Sequence, residues 1–388
     1  MSAETILVAA WSGRMLAASA RRAGSLPPVV DAFGDDDTRA SAAGIEVLPG
    51  AFPRGFEATS LIAALDRLAA RAATPPIGLV LGSGFEAAPD SVAALAKRWR
   101  LLGCDADCIR ACKDPKRFFP LLRRLGITHP ETRLDPPTGK AGDKGGDNWL
   151  VRRSGGSGGT HIRLASDKTT HANCYFQRRM QGIPISVSGV VGGRGGAALA
   201  FTRQWTNPTR SQPFRFGGAV GPATLDPDLE ARMIEDAMTL TEELRLVGLV
   251  SFDFLAVDGA PVLLEINPRP SATLDILDGA HGAMFRAHVA ACLGEGSVSD
   301  IVAADPQPDD ARAVGYLYAD RGTVTIPPRF EWPDWIADRS PAGTRVPQGA
   351  PLATVFAEGR GLDVAVRRLG ERSRHLETML YPEQNKRQ

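Results

Sequence analysis

One stretch of this chain spaces oxygen ligands in a way that suits a cation: Leu246–Arg269, LVGLVSFDFLAVDGAPVLLEINPR. Leu249 to Val257 reads as a strand and Val262 to Ile266 as its partner, with Asp258-Gly259 as the turn signal. A three-residue loop, Asp258 to Ala260, sets Val257 opposite Pro261, Asp253 opposite Glu265 and Ser251 opposite Asn267. Side chains alternate along a strand, so Glu265 and Asn267 share a face, and Asp253 joins them across the ladder. Two carboxylates and an amide oxygen on one face suit a hard cation such as Mg2+ that also holds phosphate. Arg269 follows directly, and a guanidinium is a natural partner for phosphate oxygens. The plain alternative is a surface hairpin with solvated charges. Against it, Glu265 interrupts an otherwise apolar run.

Upstream, Trp149–Ile162 reads WLVRRSGGSGGTHI, an apolar strand ending in Arg152 and Arg153 and entering a loop with Gly155, Gly156, Ser157, Gly158 and Gly159. Glycine lets backbone N–H groups come close to an anion, and such loops cradle phosphates. Alone the loop is equally a flexible hairpin; beside the acidic hairpin it favours a nucleoside triphosphate site.

The elements that must position these groups follow from the periodicity. Thr5–Ala10 and Ile77–Leu81 are apolar strands, Gly13–Ala23 and Thr59–Ala72 are helices, and the alternation indicates a parallel α/β sheet at the N-terminus. Gly82–Gly84 (Gly-Ser-Gly) ends the second of these strands, where α/β folds place ligand-facing loops. Asp226–Leu246 is a long helix leading into the acidic hairpin. The tail from Ala313 alternates strand-like pieces with Pro/Gly turns and ends in a helix over Leu362–Leu380. Asp135–Asp147 reads as a polar surface loop and Gly189–Gly196 as a hairpin turn.

The order of these motifs resembles the ATP-grasp superfamily over nearly the whole chain. Glu265, Asn267 and Arg269 match its E-x-N-x-R motif, and Asp253 matches the acid on the preceding strand. Lys116, in Asp114-Pro115-Lys116 ahead of a helix and Gly126-Ile127, falls where the family has a phosphate-binding lysine. Arg152 falls where the family has the lysine before its Gly-rich loop. Tyr175–Val187, YFQRRMQGIPISV, looks like the hinge that clasps adenine, which brings in Gln177, Arg178, Arg179 and Met180. That hinge departs from the family in lacking an acid near Gln177-Arg178 and another near Pro184. The chain is similar to predicted ATP-dependent carboligases related to biotin carboxylase and tyramine–glutamate ligase.

The resemblance implies an ATP-grasp fold, α/β with α+β: a Rossmann-like domain over 1–112, a small lobe with the Gly-rich loop over 113–182, a large lobe with the metal hairpin over 183–300, and a C-terminal α+β lobe over 301–388. It implies ATP and Mg2+ as cofactors, Mn2+ being able to substitute. Lys116, Arg152 and Arg269 become catalytic candidates, and Asp253, Glu265 and Asn267 metal ligands. Arg215, between hinge and hairpin, borders the acceptor pocket in such folds, and Ser271 and His281 follow the last motif; each is a candidate for substrate contact or an ordinary structural residue. The implied reaction is amide formation from a carboxylate and an amine through an acyl phosphate, with glutamate or amino-acid ligation in cofactor biosynthesis as the specific expectation. The alternatives are carboxylation through carboxyphosphate and a nucleotide-binding subunit without turnover.

Composition agrees. The 388 residues leave room for two or three domains, and the net charge of +1 gives no footprint for nucleic acid or membrane. No apolar run approaches a membrane span, and the start reads as a strand rather than a signal peptide, so a cytoplasmic location is expected, with a homodimer possible. Five cysteines are few and odd in number. Cys104, Cys108 and Cys112 lack the spacing of common zinc motifs and read as small buried residues.

Overall fold

The computed structural model describes residues 3–137, 148–165, 173–192, 196–305 and 310–381. Most of the Asp135–Asp147 loop (138–147) and the centre of the Gly189–Gly196 turn (193–195) lie outside the described residues.

At the N-terminus, short apolar runs of Val and Leu form a parallel sheet of four strands in the order Gly44–Val47, Pro28–Asp31, Leu7–Ala9, Leu79–Leu81. Apart from the half-buried edge strand Gly44–Val47, these runs are largely buried on both faces, as helices on either side require. Strand order reverses between Leu7–Ala9 and Leu79–Leu81. The loops leaving their carboxyl ends, Ala10–Gly13 and Gly82–Gly84, therefore open into a crevice of the kind that takes ligands in open α/β sheets.

A second body is an eight-stranded sheet, ordered Ala260–Asn267, Gly248–Val257, Ile183–Val191, Ala198–Thr206, Phe216–Gly221, Ala311–Tyr318, Pro351–Gly359, Ile336–Ala337. All of its pairings are antiparallel. The tail strands extend this sheet through Ala311–Tyr318, which pairs with Phe216–Gly221. The helices Pro227–Leu244 and Leu362–Leu380 bury Met233, Ala237 and Leu240, and Ala365, Leu369 and Leu376, in the cores around this sheet. A smaller sheet of four strands, ordered Thr132–Arg133, Cys174–Arg178, Trp149–Arg153, Ile162–Leu164, carries the Gly-rich loop.

The hairpin differs instructively from its sequence reading. Its loop has two residues, not three: Val257 pairs with Ala260, and Asp258 and Gly259 both take positive φ (48° and 74°), as a tight primed turn demands. That register alone would set Asp253 opposite Leu264. A bulge between Asp253 and Phe254 absorbs Leu264, and beyond it Asp253 pairs with Glu265 and Ser251 with Asn267. The expected pairing at the chemical end is thus reached through a shorter loop and one extra residue. The three thiols of Cys104, Cys108 and Cys112 are buried in the core beneath the hairpin.

Among the described residues, no helix is long and apolar enough to cross a membrane.

Candidate functional site

The hairpin brings Asp253, Glu265 and Asn267 together. The Asn267 amide donates to Asp253 Oδ2 at 2.9 Å and to Glu265 Oε1 at 3.5 Å, while its oxygen accepts from Lys113 Nζ at 2.9 Å. Gln204 Nε2 donates to Asp253 Oδ1 at 3.4 Å. Arg152, buried on the strand before the Gly-rich loop, donates from Nη2 to Glu265 and from Nη1 to Gln177 Oε1 at 2.7 Å.

The two acids of this cluster diverge. Burial and the neighbouring charge of Glu265 push Asp253 up to about 6. Burial also opposes the charge on Glu265, but Lys113 and Arg152 outweigh it and bring that carboxyl down to about 2. Two carboxylates whose mutual repulsion is only partly relieved by cations favour a further positive charge between them. Among the described residues no group of three or more His, Cys, Asp or Glu side chains is placed to hold a metal ion. The donor set is two carboxylates and an amide. That fits Mg2+, which is usually held through one or two carboxylates plus phosphate oxygens and water.

The Gly-rich loop is folded down on both neighbouring bodies. Gly155, Gly158 and Gly159 have φ near 70°, 65° and 70°, so each needs glycine. A Cβ on Gly155 would lie 2.6 Å from Ala87 Cα, and one on Gly159 would lie 1.8 Å from the Phe214 carbonyl oxygen. Phe216 N donates to Gly158 O at 3.0 Å. Beneath the loop, a Cβ on Gly156 would strike the ring of His161, whose pKa burial and the charge of Arg152 lower to about 3. Lys113, Phe118, Phe119, Gly155, Tyr175 and Glu265 line the cleft below. Arg152 Nε, His161 Nδ1 and Gln177 Nε2 are buried without a hydrogen-bond partner among the described residues, and buried polar atoms left so call for a ligand or water.

Other expected residues sit as follows. Lys116 is exposed in the first turn of the helix Pro115–Leu125, where its amide donates the capping bond to Asp114 Oδ1 at 2.9 Å. The lysine that reaches the cluster is Lys113. Arg269 donates from Nε to Glu86 Oε1 at 2.7 Å and from Nη1 to Pro270 O at 3.0 Å. In the hinge segment, Gln177 is buried, Arg178 stacks over Trp149, and the Arg179 amide donates to Asn148 O at 2.6 Å; Met180 is half-buried just beyond the strand. Ser157 accepts from Thr160 through its carbonyl.

Arg215 is 1% exposed and fully engaged within the chain. It holds Asp320 with both terminal nitrogens (2.9 and 2.6 Å), donates from Nε to Asn207 O, and stacks on Tyr318 at 3.7 Å. Its carboxylate partner therefore comes from the protein itself. Ser271 shares a hydrogen bond with Thr273 at 2.7 Å, and exposed His281 has its amide on Asp305; neither donates to the Asp253–Glu265–Asn267 cluster. Glu86, Lys113, His161 and Tyr175 belong to the site but were not singled out from the sequence. The available signals were the Gly-Ser-Gly turn ahead of Glu86, the first lysine in Lys113-Asp114-Pro115-Lys116, and the end of the Gly-rich loop at His161.

Residues 112–273 match the model of the ATP-grasp domain. The carbamoyl phosphate synthase large chain of Myxococcus xanthus is 25% identical over 211 residues, covering 50% of this chain; the chain spans only 19% of that relative. Among solved structures, N5-carboxyaminoimidazole ribonucleotide synthetase from Thermus thermophilus superposes with a TM-score of 0.67 at 16% identity, covering 95% of this chain and 98% of that one. The biotin carboxylase domain of Hydrogenobacter thermophilus 2-oxoglutarate carboxylase, a dimer in complex with MgADP and bicarbonate, superposes with a TM-score of 0.70 at 13% identity, covering 95% and 89%.

Proposed function

We propose that this chain, which carries an ATP-grasp domain within an ATP-grasp fold, is an ATP-dependent ligase that joins a carboxylate to an amine through an acyl phosphate. The observation that carries this reading is the Asp253–Glu265–Asn267 set, met from one side by Arg152 and Lys113 and capped by a folded Gly-rich loop. A carboxylate resists amines because oxide would have to leave. Transfer of a γ-phosphoryl group to it makes phosphate the leaving group, and that transfer needs positioning and charge neutralisation rather than a protein nucleophile.

Each residue then has a task. Asp253 and Glu265 would hold Mg2+ or Mn2+, joined by the Asn267 oxygen once that amide turns from Lys113, its present partner. Such an ion would supply charge neutralisation at the phosphates. Lys113 and Arg152 add positive charge at the same place, and the amides of the Gly155–Gly159 loop receive phosphate oxygens. Arg269 stabilises charge on the transferred phosphoryl group. The folded loop excludes water, which would otherwise hydrolyse the acyl phosphate. The orphaned Gln177 Nε2 and the backbone beyond it offer contacts to the base in a hinge without the usual acids.

Donor and acceptor are small molecules, an amino acid such as glutamate fitting one of the two places in a cofactor-building reaction, and the protein works in the cytoplasm. Likeness to a biotin carboxylase domain bound to bicarbonate supports a second reading, in which bicarbonate is the phosphoryl acceptor and carboxyphosphate the intermediate. A screen of ADP release over pairs of acids and amines, with bicarbonate as one acid, separates the two. Release that depends on an amine as well as an acid supports the ligase. Release with bicarbonate alone supports the carboxylase, and release with no pair rejects turnover.

A further inference from the structure

Glu86 lies outside the hairpin and the Gly-rich loop, yet it touches both. It follows the turn that ends the strand Leu79–Leu81 of the N-terminal sheet and is 4% exposed. Its Oε2 accepts the amides of Gly84 and Phe85 at 2.8 and 3.0 Å, and its Oε1 accepts Arg269 Nε at 2.7 Å. Three donors on one carboxylate hold it in a single orientation and keep it charged. Burial alone would raise its pKa, but the charges of Arg269 and Lys113 set it below the ordinary value.

Two consequences follow from this placement. First, with Nε on Glu86 and Nη1 on Pro270 O, the plane of the Arg269 guanidinium is fixed. Its Nη2 has no hydrogen-bond partner among the described residues, and it lies within the electrostatic reach of Asp253 and Glu265. Second, the backbone of the same residue is the surface on which the loop rests. The missing Cβ of Gly155 would lie 2.8 Å from Glu86 O and 2.6 Å from Ala87 Cα, an approach open to no other residue type.

We infer that Glu86 is a positioning residue whose carboxylate aims Arg269 at the transferred phosphoryl group and whose backbone seats the Gly-rich loop, so that arginine placement and lid closure are a single event. The role of Arg269 rests on the ligase reading above; the seating of the loop does not. A shared anchor of this kind keeps phosphoryl transfer from running with the lid open, where water would take the intermediate.

The test compares wild type with Glu86→Gln, Arg269→Lys and the double variant, after melting curves confirm that each is folded. With MgATP as the probe, Glu86→Gln should lower the rate of ADP release about 10-fold or more, with KM for MgATP within about 3-fold of wild type. In the Arg269→Lys background the same change should cost less than about 2-fold, because the carboxylate acts through the arginine. Amide hydrogen exchange over residues 153–162, measured without nucleotide, should rise about 5-fold in Glu86→Gln and at least as much in Gly155→Ala. Full additivity in the double variant would overturn the aiming of Arg269; loop exchange unchanged in Gly155→Ala would overturn the seating, and unchanged in Glu86→Gln alone would overturn its coupling to the arginine. A wild type that neither binds MgADP nor releases ADP would reject the ligase reading. The exchange measurement would still decide the inference about the loop.

Discussion

Asp253→Asn sets stability against function and has an unusual expected sign. The carboxyl of Asp253 is held at about 6 rather than its ordinary 3.8 by burial and by Glu265. A shift of this size corresponds to ~3 kcal/mol at neutral pH, and because the side chain is only partly screened from water the effective cost is about 1–3 kcal/mol. The sign follows from linkage. The folded pKa lies above the unfolded one, so ionised Asp253 opposes folding: the cost is absent below about 3.8, grows between there and about 6, and is complete above that. An amide of the same shape still accepts from Asn267 and carries no charge. The variant, free of metal and nucleotide, should therefore melt a few degrees higher than wild type near pH 7.5, at about 2 °C per kcal/mol, and the gain should vanish near pH 4. The same substitution removes a metal ligand, so the further rise in Tm that MgATP gives wild type should be largely lost. Thermal melts at the two pH values, with and without MgATP, read both effects. A variant less stable than wild type at pH 7.5 would show that ionised Asp253 does not oppose folding, and one that keeps the full MgATP shift would show that Asp253 holds no metal.

Glu265→Gln should act at the acid end instead. Glu265, held near 2 against burial by Lys113 and Arg152, contributes stability that is present above its ordinary 4.5 and is lost as pH falls towards 2, so the fall in Tm between pH 5 and pH 3 should be shallower in the variant. Lys113→Ala should weaken MgATP binding by about 10- to 100-fold, the worth of a charge-assisted contact, whereas Lys116→Ala should change it less than about 2-fold; calorimetric titration separates the two. Arg215→Ala should cost about 2–4 kcal/mol in denaturant unfolding, less than a wholly buried pair because the Asp320 side chain is 39% exposed. Unchanged stability there, with weakened substrate binding, would return Arg215 to the acceptor pocket.

How far the sequence could be read depended on whether the signal was local. The hairpin was legible because Asp258-Gly259 demands a tight turn and strict alternation fixes which residues share a face. Even there the loop came out one residue too long, and only the bulge at Leu264 restored the expected pairing. Which lysine faces the hairpin was not legible for a different reason. Lys113 ends one helix and Lys116 begins the next, and Asp114 between them is extended (φ −86°, ψ 112°), serving as C-cap of the first and N-cap of the second. Spacing within a single helix cannot tell which lysine such a joint turns inward. Glu86 and Arg269 are 183 positions apart, and Arg215 and Asp320 are 105 apart. No local pattern links such pairs; the sheet order that carries each residue to its partner is set by the whole fold.

The path of oxygen distinguishes γ-phosphoryl transfer to a carboxylate from adenylate formation. With an acid and amine that support ADP release, the donor carboxylate is labelled with heavy oxygen and the products are read by mass spectrometry. In the acyl-phosphate route a carboxylate oxygen attacks the γ-phosphorus and leaves with phosphate when the amine displaces it. One labelled atom should therefore appear in inorganic phosphate, with ADP as the only nucleotide product. Label in AMP, with release of pyrophosphate, would contradict the account even if the amide were made.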